Sequence, residues 1–361
     1  MNLPQTDSPF RRVLLREWRR MTSRRLYFGV CVVLPLFTIF FMATIFGNGQ
    51  MENIPVGVVD QDNTATSREI VRTISAVPTF KVTDHFANEA AARKAVQKKE
   101  IYGYLSIPPG FEQDAVTGKD ASLSYYYHYA LLSVGGELMA AFETALAPVA
   151  LSPVVMQAVA LGTGQEQITA FLLPVQASNH PIYNPSLDYS VYLSQSFFFV
   201  LFQILILLTT VYAVGTEIKF RTADEWLLAA KGNMVTAVTG KLLPYTVIYI
   251  LTGWLANYVM FGILHIPFQG SWWLMNIMTA VFIIATQSLG LFLFSLFPAI
   301  SLIISIVSMV GSLGATLSGV TFPVPDMYPV IRAASRLFPV RHFTEAVQNM
   351  LYGGSGFAHL W

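Results

Sequence analysis

The chain has 361 residues, 54% hydrophobic and only 12% charged, about half the charge of an ordinary soluble domain; this is the composition of a membrane protein and excludes a purely soluble enzyme. A formal net charge of +1 gives no argument for nucleic acid, and no nucleic-acid partner is expected. The single cysteine, Cys31, excludes an intrachain disulfide and a cysteine-based metal site.

The charges are unevenly placed. Of the 22 Lys and Arg, seven lie in residues 1–25, eight in 47–188, four in 217–241 and three after Asp326, while 14 of the 21 acids fall in 47–188. Residues 1–25 read as a cytoplasmic amphipathic helix: Val13, Leu14, Trp18 and Met21 share one side, and Arg11, Arg12, Arg16, Arg19 and Arg20 take much of the rest. Such a helix lies among lipid headgroups with its arginines reaching anionic lipid; a basic flank that only orients the next span is the alternative. Residues 26–46 carry no charge and form the first transmembrane span. The run is too long for a signal-peptide core and ends without an A-x-A site, so it is read as retained.

Residues 47–188 change character and read as an extracytoplasmic α/β domain with a helical return to the membrane. IPVGVVD (Ile54 to Asp60) is strand-like, and an Asp62-Asn63-Thr64 turn opens a helix through Ile70, Val71 and Ile74. A strand near Phe80 to Thr83, a helix near Asn88 to Lys99 and a strand at Ile101 to Ile107 follow. Pro108-Pro109-Gly110 then breaks the chain before a strand at Ala121 to Tyr127. From Leu131 to Leu173 the pattern is helical with interruptions at Pro148, Pro153 and Gly162-Thr163-Gly164. Asp60 and Asp62 form a lone D-x-D that lacks the further ligands of a calcium loop, so a turn and helix cap account for it.

Residues 189–322 hold spans two to five: Tyr189 to Thr216, Leu242 to Leu264, Trp272 to Phe297, and Ile300 to Phe322 after a bend at Pro298. Residues 323–361 read as short helices on the outer face. With the N-terminus inside, the short cytoplasmic segments hold eleven Lys and Arg and the outer ones three, which sets the orientation. The fold class is therefore a polytopic α-helical membrane protein with an inserted α/β domain.

None of the five predicted spans contains an ionisable group of the kind retained for intramembrane chemistry at about 2.5–3.5 kcal/mol. Proton or sodium coupling through a membrane carboxylate is therefore not expected. The histidines show no metal-ligand spacing, and GNMVTAVTGK (Gly232 to Lys241) is too widely spaced for a phosphate loop. No catalytic, metal or cofactor site is expected in this chain. Uncharged polar residues do stand in the spans, and Gln195, Gln203, Asn257 and Gln287 are the candidates for lining an amphipathic cargo path; hydrogen bonding between helices is the competing reading.

Between spans two and three lies a polar segment, residues 217–241. Thr222-Ala223-Asp224-Glu225 has the form of a capping box, Asp224, Glu225 and Lys231 suit the dipole of a short helix, Gly232 terminates it and Asn233 caps the next. Trp226 and Leu227 would be exposed on it, as anchors for a partner's pocket or, alternatively, folded against the protein's own span ends. Glu217, Thr222, Asp224, Glu225, Trp226, Leu227 and Lys231 are the candidate coupling residues.

EIKFRTADEWLLAAK (Glu217 to Lys231) with GKLLPY (Gly240 to Tyr245), PVGVVDQD (Pro55 to Asp62), SGVTFPVPDMYP (Ser318 to Pro329) and LFPVRHFTEAV (Leu337 to Val347) together resemble the permease subunits of type 2 ABC exporters, the bacterial multidrug and efflux kind with a large periplasmic domain between the first two spans. The resemblance implies a multi-pass protein of the bacterial inner membrane that moves a drug, lipid or similar molecule outward. It implies six spans, where five are visible here, and pairing with a second permease copy or homologue. ATP and Mg would be bound on a separate ABC ATP-binding subunit, received through the cytoplasmic segment and the N-terminal helix. A periplasmic adaptor, an outer-membrane channel and membrane lipid are the further partners implied. The second reading is a membrane-anchored sensor or assembly scaffold acting through the α/β domain.

Overall fold

The computed structural model describes residues 8–46, 51–117, 122–131, 134–147 and 189–353. The chain divides into two compact units, Asn48–Tyr189 and the flanking Met1–Gly47 with Ser190–Trp361.

After the N-terminal helices α1 (Pro9–Ser23), α2 (Arg25–Phe28) and α3 (Leu34–Phe46), the elements of the inserted unit run β1 (Ile54–Asp60), α4 (Ala65–Ser75), β2 (Phe80–His85), α5 (Glu89–Gln97), β3 (Gly103–Ile107), α6 (Phe111–Thr117) and β4 (Ser124–Tyr127). The sheet order is β2-β1-β3-β4, with β1 parallel to both neighbours and β4 antiparallel to β3. β1 is apolar on both sides because both faces are covered. Val56 packs with Ile70 and Ile74 of α4, and Val59 with Ala92 and Ala95 of α5. A further helix, α7, covers 134–147 and brings Leu138 and Phe142 onto the Ile70 side. The helical return predicted around Pro148, Pro153 and Gly162 lies outside the described residues.

The Pro108-Pro109-Gly110 break leads into α6, a helix absent from the sequence reading. The D-x-D explains it. Asp62 accepts from the amides of Gly110 (2.8 Å) and Glu112 (3.1 Å) and so caps α6, while Asp60 accepts from the amides of Asp62 and Asn63, both at 3.0 Å, and from Ser67 Oγ at 2.7 Å. Both carboxylates are thus engaged by turn and cap donors, and among the described residues no cluster of His, Cys, Asp and Glu is suited to a metal.

In the membrane unit, α1 (Pro9–Ser23) begins at Ser8, whose Oγ accepts from the Arg11 amide. An extended residue, Arg24 (φ −115, ψ 117), separates it from α2 (Arg25–Phe28). A wide π turn at Gly29–Val33 joins α2 to α3 (Leu34–Phe46), completing the first span. The buried stripe of α1 is Val13, Glu17 and Met21, with Trp18 50% exposed; the predicted stripe of Val13, Leu14, Trp18 and Met21 is rotated toward Glu17.

The later helices are α8 (Tyr189–Lys219), α9 (Ala223–Ala229), α10 (Met234–Asn257), α11 (Trp272–Leu296), α12 (Ile300–Leu317), α13 (Pro329–Ser335) and α14 (Pro339–Gly353). Among the described residues five helical segments are long and apolar enough to cross a membrane. α8 is the central one. Its Phe199 and Phe202 meet Phe343 of α14 (4.3 Å between ring centres) and Tyr249 of α10 (5.4 Å), and Phe282 of α11 completes the cluster.

The spans differ from the sequence reading at two places: the fifth ends at Leu317, ahead of the predicted Phe322, and the junction between the second and third is shifted. α8 continues past Thr216 to Lys219, and α10 starts at Met234, ahead of the predicted Leu242. Glu217 and Lys241, which the sequence placed in a solvated segment, therefore stand inside membrane-crossing helices.

Close helix contact is built with glycine at Gly253 of α10, where an added Cβ would sit 2.7 Å from Thr279 Cγ2 of α11. Gly253→Ala is expected to cost about 1–3 kcal/mol through overpacking, against a helix-propensity gain of up to about 1 kcal/mol. Thermal unfolding in detergent reads the net loss; a raised midpoint would show that the two helices separate freely there.

Candidate functional site

The side chains of Glu217, Lys241 and Glu17 are 0%, 0% and 1% exposed and come from three separate helices. Lys241 Nζ donates to Glu17 Oε2 at 2.6 Å and to Glu217 Oε1 at 2.7 Å. Tyr245, one turn beyond Lys241 on α10, donates its hydroxyl to Glu17 Oε1 at 2.7 Å. Arg16 grips Glu217 with two parallel bonds, Nη1 to Oε1 at 2.7 Å and Nη2 to Oε2 at 3.0 Å. Arg20 also donates to Glu217 Oε1 and stands 3.9 Å from Glu17 Oε2, and Thr222 donates its hydroxyl to Glu217 Oε2.

The local sequence explains why these groups meet. On α1, Arg16 and Arg20 flank Glu17, and Glu17 lies between Val13 and Met21 on the buried stripe. Gly240 lets that stripe approach α10, since a Cβ there would be 3.1 Å from Val13 Cβ and 3.4 Å from the Phe10 carbonyl oxygen. Lys241 follows directly and reaches the acids.

Three cations and two carboxylates converge, and all four carboxylate oxygens accept hydrogen bonds. Burying each ion costs several kcal/mol, which the pairing offsets only when every partner is present. The cluster joins α1, the end of α8, the start of α10 and the intervening turn through one set of bonds. Burial by itself lowers the pKa of Arg16, but the hydrogen bonds and charge of Glu217 outweigh it and raise the guanidinium above its ordinary value.

The turn between α8 and α10 carries the other predicted coupling residues. The capping box does not form, because Thr222 turns its hydroxyl to Glu217 and makes no cap bond to α9. Trp226 is not an exposed anchor: it is 6% exposed, its Nε1 donates to the Ala237 carbonyl at 3.1 Å, and Lys241 Nζ lies 5.4 Å from its ring centre. Leu227 is half-buried beside it. Asp224, Glu225 and Lys231 are exposed. Lys231 and Gly232 take left-handed conformations (φ 54 and 80) that reverse the chain, and Asn233 Oδ1 caps α10 by accepting from the Thr236 amide at 3.0 Å. The apolar groups that do face outward are Leu228, Met234 and Val235, at 74%, 58% and 71% exposure.

Glu17 and Tyr245 carry no role in the sequence reading; Arg16 and Arg20, expected to reach lipid, and Lys241, expected in a solvated segment, turn inward to the acids. One signal was present: Glu17 is the single acid in residues 10–25 and lies on the apolar stripe, a position that requires a buried cation.

The candidate cargo-path residues are all buried, each beside a different neighbour. Gln203 Oε1 accepts from the Val340 amide at 3.0 Å, Asn257 Nδ2 donates to Thr279 Oγ1 at 3.0 Å, and Gln287 Oε1 accepts from Thr246 Oγ1 at 2.7 Å. Gln195 Nε2 lies 3.9 Å from Met275 Sδ. These bonds tie α8 to α14 and α10 to α11. The remaining amide atom of each residue has no partner among the described residues.

The family model of the ABC-2 family transporter proteins matches residues 25–361. The chain is 26% identical over 161 residues to the probable multidrug ABC transporter permease YbhS of Escherichia coli (strain K12), covering 42% of this chain and 41% of that protein. It is 27% identical over 118 residues to the inner membrane transport permease YhhJ of the same strain, covering 32% and 31%. The alignments thus span less than half the length of these curated relatives. No solved structure matches. With five helices long and apolar enough to cross a membrane among the described residues, an α/β domain inserted after the first of them, and a family match over nearly its whole length, the chain belongs to the ABC-2 family of transporter proteins.

Proposed function

We propose that this chain is the permease subunit of an ATP-driven exporter of the bacterial inner membrane, and that the buried ion cluster carries the motion of a separate ATP-binding subunit into the spans. The single observation behind this reading is that one set of bonds joins α1, α8, α10 and the turn at α9, so that displacing the turn must displace two spans and the surface helix together. Family membership supplies the ATP-binding partner; ATP and Mg belong to that subunit, and this chain performs no chemistry of its own. The named relatives, one a probable multidrug permease and the other an inner membrane permease, support export at that membrane. The uncharged polar core favours a hydrophobic or amphipathic cargo, with Gln195, Gln203, Asn257 and Gln287 as its proposed path. A second permease copy or homologue, a periplasmic adaptor and an outer-membrane channel complete the proposed assembly.

In this reading the docking face consists of Leu228, Met234 and Val235, rimmed by Asp224, Glu225 and Lys231. An apolar centre with a charged rim is the usual anatomy of a protein interface. Leu228→Asp with Val235→Asp is expected to weaken binding of the ATP-binding subunit at least tenfold and to abolish its stimulation, with the thermal midpoint unchanged because both side chains face outward. Unaltered affinity and stimulation in a folded double variant would overturn the assignment.

A further inference from the structure

We propose that the elbow between α1 and α2 is a binding site for one anionic phospholipid, taken from the membrane leaflet in which α1 lies. The site is a cavity of about 580 Å³, inside the usual range of small-molecule sites. Its origin is local. Arg24 is extended and turns the chain between the two helices, and the π turn that follows places Cys31 and Val32 on the cavity wall.

The lining is mixed in chemistry. Arg25 and Trp18 line it together with Tyr27, Cys31, Val32 and Ile248, the first two following or belonging to α1 and the others coming from α2, the π turn and α10. Arg19 and Arg24 stand beside the same end of α1, Arg24 with its guanidinium 5.1 Å from the ring centre of Phe220. Among the described residues the ion pairs of this region are those of the buried cluster, and Arg19, Arg24 and Arg25 take no part in them. The hydroxyls of Thr22 and Ser23, also on the lining, donate to the backbone carbonyls of Trp18, Arg19 and Arg20.

A cationic mouth above an apolar slot matches an amphiphile with an anionic head. A phosphate beside Arg25 would be paired without competition from a protein acid, and a half-exposed tryptophan belongs at the boundary of headgroup and hydrocarbon. An acyl chain would lie along Val32 and Ile248. A neutral lipid gains the slot but not the charge, so headgroup selectivity is the distinctive expectation.

Native mass spectrometry of the full chain in mild detergent, supplied with equal phosphatidylglycerol and phosphatidylcholine, tests it. One phosphatidylglycerol per chain should be retained in preference to phosphatidylcholine. Arg25→Gln should lower that occupancy about fivefold, the worth of one arginine at an anionic surface; Arg25→Lys should largely keep it. Ile248→Trp, which fills the slot, should remove retention of both lipids, and thermal unfolding identifies whether each variant is folded. Equal retention of the two lipids, or several phosphatidylglycerols per chain unaffected by Arg25→Gln in a folded protein, would signify surrounding lipid only and overturn the site.

Discussion

Lys241→Met is expected to destabilise the protein by about 3–5 kcal/mol, the usual cost of removing one partner from a buried ion pair. Lys241 is 0% exposed and bridges Glu17 to Glu217. Without it, Glu17 keeps one close donor, the Tyr245 hydroxyl, with Arg20 at 3.9 Å. Glu217 is better protected, since Arg16 and Thr222 still bond it. Most of the loss should therefore come from Glu17, and Glu17→Gln should recover part of it. The double variant should be more stable than the sum of the two single changes by about 0.5–3 kcal/mol. Thermal or denaturant unfolding in detergent reads all three variants; strict additivity would mean that Lys241 and Glu17 do not interact in solution as they do here.

Glu217→Gln is expected to be comparably severe, about 3–5 kcal/mol, for the opposite reason. Arg16, Arg20 and Lys241 all bond this one carboxylate, and a neutral amide leaves the three cations sharing Glu17. The same change turns one of the two oxygens that Arg16 grips into an NH2 donor and removes the charge from the other, so α1 should loosen from the spans. A cysteine at Val13, which is 1% exposed in the parent, introduced in a Cys31→Ala background, should react with a membrane-impermeant maleimide only when Glu217→Gln is present. Equal labelling with and without that change would show that Val13 against Gly240 holds α1 unaided.

How far the sequence reveals this protein depends on the range of the interaction concerned. The spans and the strand-helix alternation are local properties, and charge-free runs or alternating patterns disclose them. The D-x-D is legible in part: the partners of Asp60 (Asp62, Asn63 and Ser67) lie close along the chain, whereas the bonds of Asp62 to Gly110 and Glu112, and the helix they cap, do not show because they join residues 48 and 50 positions apart. The buried cluster is different in kind. Glu17 and Lys241 are 224 residues apart, and hydropathy counts each charge singly, so Glu217 and Lys241 read as a solvated segment when in fact they neutralise each other inside α8 and α10.

The capping box failed for a related reason. Thr222 has a nearby carboxylate to bond, and a charged acceptor outcompetes the neutral cap geometry. Trp226 has the composition of an exposed anchor, but its indole finds the Ala237 carbonyl across a tight reversal at Lys231 and Gly232. The outward role passes to Leu228, Met234 and Val235, none of which the helical pattern distinguishes from its neighbours.

If the ion cluster makes a single mechanical unit of α1, the end of α8, α9 and the first turns of α10, hydrogen exchange on the full chain in lipid nanodiscs, with and without Glu217→Gln, should show it. Amides in 13–21, 223–229 and 237–245 are expected to lose protection together and by a similar factor. Loss confined to the residues adjoining position 217, with α1 and α9 as protected as in the parent, would contradict it.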